Sequence, residues 1–171
     1  LEFHVWHSRA NPAPDAQGAS TGYARSAAAL QRSILNYPDY IVFDIDPYIY
    51  SGREAKGAQP ELNAPAFEKG KAVAFALKAL LDAMNLESRV KTSGKTGLHV
   101  LVPIVRTVRY DAARALAETI ARHMLAKHSQ DITIEWDTRR RTGKVFFDYN
   151  MNARVKTLSA PYSVGAAAGA P

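Results

Sequence analysis

The apolar positions of this chain change period several times, and each change marks an element. Leu1-Glu2-Phe3-His4-Val5-Trp6 alternates as a strand does, with Leu1, Phe3 and Val5 opposite Glu2, His4 and Trp6. From Ser8 to about Ser26 the pattern gives way to Pro, Ala, Gly and Ser, which reads as a loop. Leu30, Ile34 and Leu35 fit one side of a short helix from Ala27 to Asn36, and Tyr37-Pro38-Asp39 then turns into a regular alternation, Tyr40 to Asp46. There Ile41, Phe43 and Ile45 share one face, Val42, Asp44 and Asp46 the other, and Pro47 stops the ladder. A second loop covers Ser51 to Gln59. Asn63 can cap a helix beginning near Pro65, along which Phe67, Val73, Ala76, Leu77, Leu80, Leu81 and Met84 recur at helical spacing. Strands are predicted for Ser88 to Thr92 and Leu98 to Val105, joined by Ser93-Gly94-Lys95-Thr96-Gly97. Asp111 is expected to cap a second helix to about His128, with Leu116, Ile120, Met124 and Leu125 inward. Ile132 to Trp136 and Lys144 to Tyr149 are the last predicted strands, separated by Arg139-Arg140-Arg141. The order matches an α+β fold with a split β-α-β sheet, as in RNA-recognition folds, both helices on one face and the other face open to a substrate.

Composition narrows this picture. With 171 residues and 47% hydrophobic content, the chain can form one domain, residues 1–171, around a sizeable core. It opens without methionine, already in a strand pattern, as expected of a fragment of something longer. The net charge of +6 suits a phosphate-rich partner, although such an excess is also common on proteins without one. Cysteine is absent, so any metal must be held by oxygen or imidazole. The compartment stays open, with the cytoplasm as default. No apolar run approaches the roughly 20 residues of a membrane span, so no membrane partner is expected.

Three stretches carry candidate chemistry. Asp44 and Asp46 project side by side from one strand face, where burying charge is costly unless a cation or hydrogen bonds offset it. Hard carboxylate oxygens at that spacing suit Mg²⁺ or Mn²⁺, and such pairs also serve as plain turn caps. Asp148, sharing a face with Phe146, could join them if the two strands are neighbours; its alternative is to cap the turn before Asn150. In Ser93-Gly94-Lys95-Thr96-Gly97-Leu98-His99 the glycines permit close backbone approach to a phosphate, and Ser93, Lys95 and Thr96 add donors and a cation. It is not a Walker A loop, because Arg89 stands where the first glycine would be and a strand follows. A lone histidine such as His99 is more often structural, and a run such as Arg139 to Arg141 with Lys144 is usually solvated surface, although here one of these cations would sit next to the proposed metal site.

Together these residues resemble a known family, the polymerase domain of bacterial DNA ligase D and its stand-alone relatives in the archaeo-eukaryotic primase superfamily. The resemblance rests on Leu1 to Trp6, Pro38 to Pro47, Ser93 to Val100, Arg141 to Tyr149 and Ser159-Ala160-Pro161-Tyr162-Ser163-Val164, in family order. It implies a primase-like catalytic core and a template-dependent nucleotidyl transferase that extends or fills DNA ends in non-homologous end joining. It further implies two Mn²⁺ or Mg²⁺ ions on the catalytic Asp44, Asp46 and Asp148. Ser93, Lys95 and His99 would hold the triphosphate, and His4 and Arg141 would contact the incoming nucleotide. Implied partners are 5′-phosphorylated gapped or 3′-overhang DNA ends, nucleoside triphosphates, a DNA ligase and Ku, in a nucleoid-associated setting. The chain departs from the family pattern in placing Gly165 where a triphosphate-binding arginine usually follows the Pro-Tyr-Ser block, and Lys95 one place early. The loop between Trp6 and Pro38 is longer than usual, and the family's N-terminal region is missing. Two rivals remain: a binding module whose catalysis has lapsed, suggested by Gly165 and the missing region, and a haloacid-dehalogenase-type phosphatase. The latter also uses Asp-x-Asp but wants a parallel, Rossmann-like order, and Pro47 and the hairpin Ser93 to His99 argue against it.

Overall fold

The computed structural model describes residues 3–8, 28, 31, 33–47, 63–141 and 143–163. The expected loop ending near Ser26, the loop of 51–59, most of the helix expected from Ala27, and Gly165 lie outside the described residues. In chain order the described elements are β1 (His4–Trp6), β2 (Tyr40–Asp46), α1 (Ala64–Ala83), β3 (Arg89–Thr92), β4 (Leu98–Pro103), α2 (Tyr110–Lys127), β5 (Ile132–Thr133), β6 (Val145–Asp148) and β7 (Thr157–Ser159). Single 3₁₀ turns occupy Ile34–Asn36 and Thr138–Arg140.

A five-stranded sheet has the order β3-β4-β2-β6-β5, and β1 pairs with β7 in a separate two-stranded sheet. The central strand β2 runs antiparallel to both neighbours, β4 and β6. Without β5 the order is that of the split β-α-β arrangement expected from the pattern. That topology removes the phosphatase alternative, which needs β2 inside a parallel sheet. The last strand pair differs from expectation. β5 is only Ile132–Thr133 and lies parallel to β6, so the chain between them must cross over a face of the sheet instead of turning back as a hairpin.

Both helices pack on one face. Val73, Leu77 and Leu81 of α1 and Ala113, Ala117, Ile120, Ala121 and Met124 of α2 meet Ile41, Phe43, Ile45, Leu98, Val100, Val102, Val145 and Phe147 in one core. Asn63 caps α1 as expected, its Oδ1 accepting from the Ala66 N–H at 3.0 Å. Gly70 lets α1 lie against the end of β2, since a Cβ there would sit 2.8 Å from the Pro47 Cβ. Other details correct the periodic reading. Met84 is the C-cap of α1 and is 45% exposed, and Leu116 of α2 is 42% exposed. Arg109, with no side-chain cap bond, occupies the N-cap of α2, so Asp111 falls in the first turn. The strand β1 shows no alternation of burial, all its residues being exposed.

Candidate functional site

The face of the sheet away from the helices is where the carboxylates gather, and it is not bare. Register places Asp44 of β2 directly opposite Asp148 of β6, and Asp46 opposite Phe146. Asp44 and Asp46 share the face by strand alternation, so Asp44, Asp46 and Asp148 form one acidic group. Asp148 is buried and its Oδ1 also accepts the Asn150 N–H at 2.6 Å, so the turn-cap role and the shared acidic site coexist. Asp44 keeps 27% of its side-chain surface exposed. Burial first, then the charges of Asp46 and Asp148, push its carboxyl from 3.8 up to about 7, against the opposing pull of Lys91. Where β6 ends, Asn152 continues the ladder with its side chain: Oδ1 accepts from the Val42 N–H at 2.8 Å and Nδ2 donates to the Val42 carbonyl at 2.7 Å.

On the other side of β2, His99 of β4 is the direct partner of Asp44. Its Nε2 lies 3.6 Å from Asp44 Oδ1, just beyond hydrogen-bond length. Burial, then Lys91 and His7, push the imidazole from 6.5 down to about 4, so it is neutral at neutral pH. Its Nδ1 lies 3.3 Å from the Nζ of Lys91, a residue of β3 that strand alternation alone did not single out. The glycine loop closes on itself. The Ser93 hydroxyl accepts from the Gly97 N–H at 2.8 Å and the Lys95 N–H at 3.3 Å. A Cβ at Gly97 would approach the Ile45 carbonyl oxygen to 2.8 Å, which is why this position needs glycine beside β2. Lys95 is exposed near the tip, while Thr96 is buried.

Arg141 is held from below and behind. Its Nε donates to the Glu135 carbonyl at 2.7 Å, a terminal nitrogen to the Trp136 carbonyl at 2.6 Å, and its guanidinium carbon lies 3.5 Å from the Phe146 ring centre. Phe146 is the cross-strand partner of Asp46, so the β5–β6 crossover delivers Arg141 to the acidic face. Trp136 packs edge-on to the same ring, at 6.0 Å between centres, and is 66% exposed. His4 stands on β1 opposite Ser159 of β7, and the Ser159 hydroxyl donates to the Ser93 carbonyl at 2.6 Å, which joins the small sheet to the glycine loop. The structure therefore brings Asp44, Asp46, Asp148, His99 and Arg141 to one face and sets His4, Ser93 and Lys95 along its rim.

The model of the LigD primase-polymerase domain family matches residues 1–171. The chain belongs to that family. Among LigD proteins it is 31% identical over 171 residues to the multifunctional non-homologous end joining protein LigD of Pseudomonas aeruginosa, covering 100% of this chain and 16% of that protein. With the LigD of Mycolicibacterium smegmatis it shares 34% identity over 92 residues, 54% of this chain and 12% of that protein. The polymerase domain from Mycobacterium tuberculosis ligase D in complex with DNA is similar in structure, with a TM-score of 0.61 and 29% identity over 74% of this chain and 39% of that one. The chain thus spans only a small part of its LigD relatives' length, and its mixed sheet with two helices is the fold of the LigD polymerase domain.

The donor set at this LigD-type site suits a divalent cation in chemistry: hard carboxylate oxygens on one face, with burial and then the charges of Asp46 and Asp148 holding the Asp44 carboxyl up at about 7. Among the described residues no three such groups yet close on a common point at ligand distances.

Proposed function

We propose that this chain is the catalytic core of a primase-type polymerase that adds nucleotides to DNA ends in non-homologous end joining. The observation that carries the reading is the direct opposition of Asp44 and Asp148 across β2 and β6, with Asp46 on the same face. Asp44, Asp46 and Asp148 would hold the ions, Mn²⁺ or Mg²⁺, in a two-ion site. Bound there, they would supply a lowered pKa for the attacking 3′-hydroxyl and neutralisation of the triphosphate.

The chain's own residues then have separable tasks. His99, neutral and buried beside Asp44, is a hydrogen-bond donor or acceptor and not a charge. Arg141 is preorganised by two backbone carbonyls and an aromatic ring, so it can meet a phosphate or base edge with little side-chain ordering cost. His4 borders the nucleotide site from the small sheet. Ser93 shapes the glycine loop, and Lys95 offers its ammonium from the exposed tip. Gapped or 3′-overhang DNA with a 5′-phosphate is the proposed polymer substrate, supported by the DNA complex of the mycobacterial domain. Nucleoside triphosphates are the co-substrates, and contact with a ligase and Ku belongs to the same reading.

A second reading, a DNA-binding module without catalysis, draws on the engagement of Asp148 with Asn150. One experiment separates them: extension of a labelled, 5′-phosphorylated gapped DNA with ribo- and deoxyribonucleoside triphosphates and Mn²⁺, beside the Asp44→Ala, Asp46→Ala double variant. Templated addition by the unaltered chain alone is expected. Salt-sensitive DNA binding without addition would favour the second reading.

A further inference from the structure

The acidic site does not end at His99. Register extends it into a row across four strands, Lys91 opposite His99, His99 opposite Asp44 and Asp44 opposite Asp148. The Lys91 ammonium has three protons and no lone pair. Among the described residues it lies within hydrogen-bond reach of the Thr92 carbonyl at 2.6 Å, His99 Nδ1 at 3.3 Å and the Ser159 hydroxyl oxygen at 3.3 Å. The directions are mutually consistent, because Ser159 spends its own proton on the Ser93 carbonyl at 2.6 Å and is left to accept. A neutral imidazole that accepts at Nδ1 must carry its proton on Nε2, the nitrogen that faces Asp44.

We propose that Lys91 is a positioning residue of this site, holding His99 in the Nε2–H form so that the nitrogen 3.6 Å from Asp44 Oδ1 presents a proton and not a lone pair to the acidic group. Outer partners of this kind are commonly worth 10- to 100-fold in metal-site function. The same ammonium ties β7, and through it the small sheet, to the acidic row. The role in turnover rests on the polymerase reading above; the assignment of the His99 proton does not.

The test has two arms. In the first, metal-free full chain labelled with ¹⁵N-histidine is examined by long-range ¹H–¹⁵N correlation. His99 is expected to carry its proton on Nε2, with Nδ1 shifted by an accepted hydrogen bond. Lys91→Met should abolish that shift or add a second species, and Lys91→Arg should restore it at least in part. A proton on Nδ1 in the unaltered chain, or an unchanged Nδ1 in Lys91→Met, would overturn the proposal.

In the second arm, steady-state nucleotide addition is measured for Lys91→Met, His99→Ala and the double variant, with melting curves to show that each is folded. About a tenfold fall in kcat at nearly constant nucleotide KM is expected for Lys91→Met, with no further fall when it is added to His99→Ala. A rise in KM that persists in the His99→Ala background would make Lys91 a phosphate ligand and overturn the positioning role. An unaltered kcat would reduce it to a structural tie and overturn it likewise. If the unaltered chain adds no nucleotide, the polymerase reading fails while the first arm still decides what Lys91 does to His99.

Discussion

The two faces of β2 share one backbone and one set of ladder hydrogen bonds, and they do opposite things. Toward the helices, Ile41, Phe43 and Ile45 are each at most 1% exposed, and burying each such side chain stabilises the fold by about 1.5 to 3 kcal/mol. Toward the other side, Asp44 is held where burial and like charge disfavour its ionised form. Stability is concentrated on one face so that the other can keep carboxylates in a place they would not choose. The sheet order makes this workable: β2 is central, with β4 and β6 hydrogen-bonded on either side, so its backbone does not depend on what its outer face carries.

The sharpest way to break that contrast is Asp44→Ala or Asp148→Ala. Either should reduce nucleotide addition to background while leaving the melting temperature unchanged or raised. Substantial residual activity would remove these residues from the catalytic set. The mirror experiment is Phe43→Ala, which deletes a fully buried ring packed 5.5 Å from that of Phe147. It should cost about 3 to 5 kcal/mol in denaturant unfolding; a cost below 1 kcal/mol would show that the helix face does not carry the stability assigned to it.

Asn152→Ala probes the seam between the faces, stripping the Val42 N–H and C=O of their partners at a buried site. A loss of about 2 to 4 kcal/mol is expected, read by the same unfolding curves, with activity falling only as the fold does.

The smallest effect concerns acid. His7 is fully buried against Tyr40 and Tyr110, and neither ring nitrogen has a partner among the described residues. Burial pushes it from 6.5 down to about 4, so the unfolded chain binds a proton that the folded chain refuses. The contribution of this group to stability is whole above about pH 6.5 and is lost toward pH 4, by up to about 3 kcal/mol. His99 acts in the same direction, whereas Asp44, raised to about 7, takes up a proton on folding over the same window and acts oppositely; His7→Phe should therefore gain stability relative to the unaltered chain as pH falls from 6.5 to 4, and an unchanged difference would show that His7 finds a partner when protonated.

Much of the architecture could be read from the chain's periodicities, because burial on one side leaves a mark at every third, fourth or second residue. The carboxylates of β2, the cap at Asn63 and the hairpin after Thr92 are local signals of that kind. What escaped was one local boundary and several non-local contacts. Asp111 looks like a cap, but the helix begins one residue before it, with Arg109 at the cap position. The parallel placement of β5 depends on a crossover that no local pattern distinguishes from a hairpin. Lys91 and Asn152 look like ordinary surface residues until register sets the first opposite His99 and the fold sets the second against Val42, a position 110 residues away in the chain. In the site, residue types announced the acidic group, whereas the neighbours that orient it became visible only once strands were paired.

The small sheet has a consequence in time. Phe3 donates its N–H to the Ser163 hydroxyl across a separation of 160 residues, and among the described residues β1 pairs with β7. Closing so long a loop is entropically the most demanding step in this chain, and it returns little burial, since β1 is exposed throughout. During synthesis β1 precedes β7 by the whole helix-backed sheet, so their pairing waits until that sheet has emerged. His4 is thus held at the rim of the glycine loop by a pairing that the helix-backed sheet does not itself need.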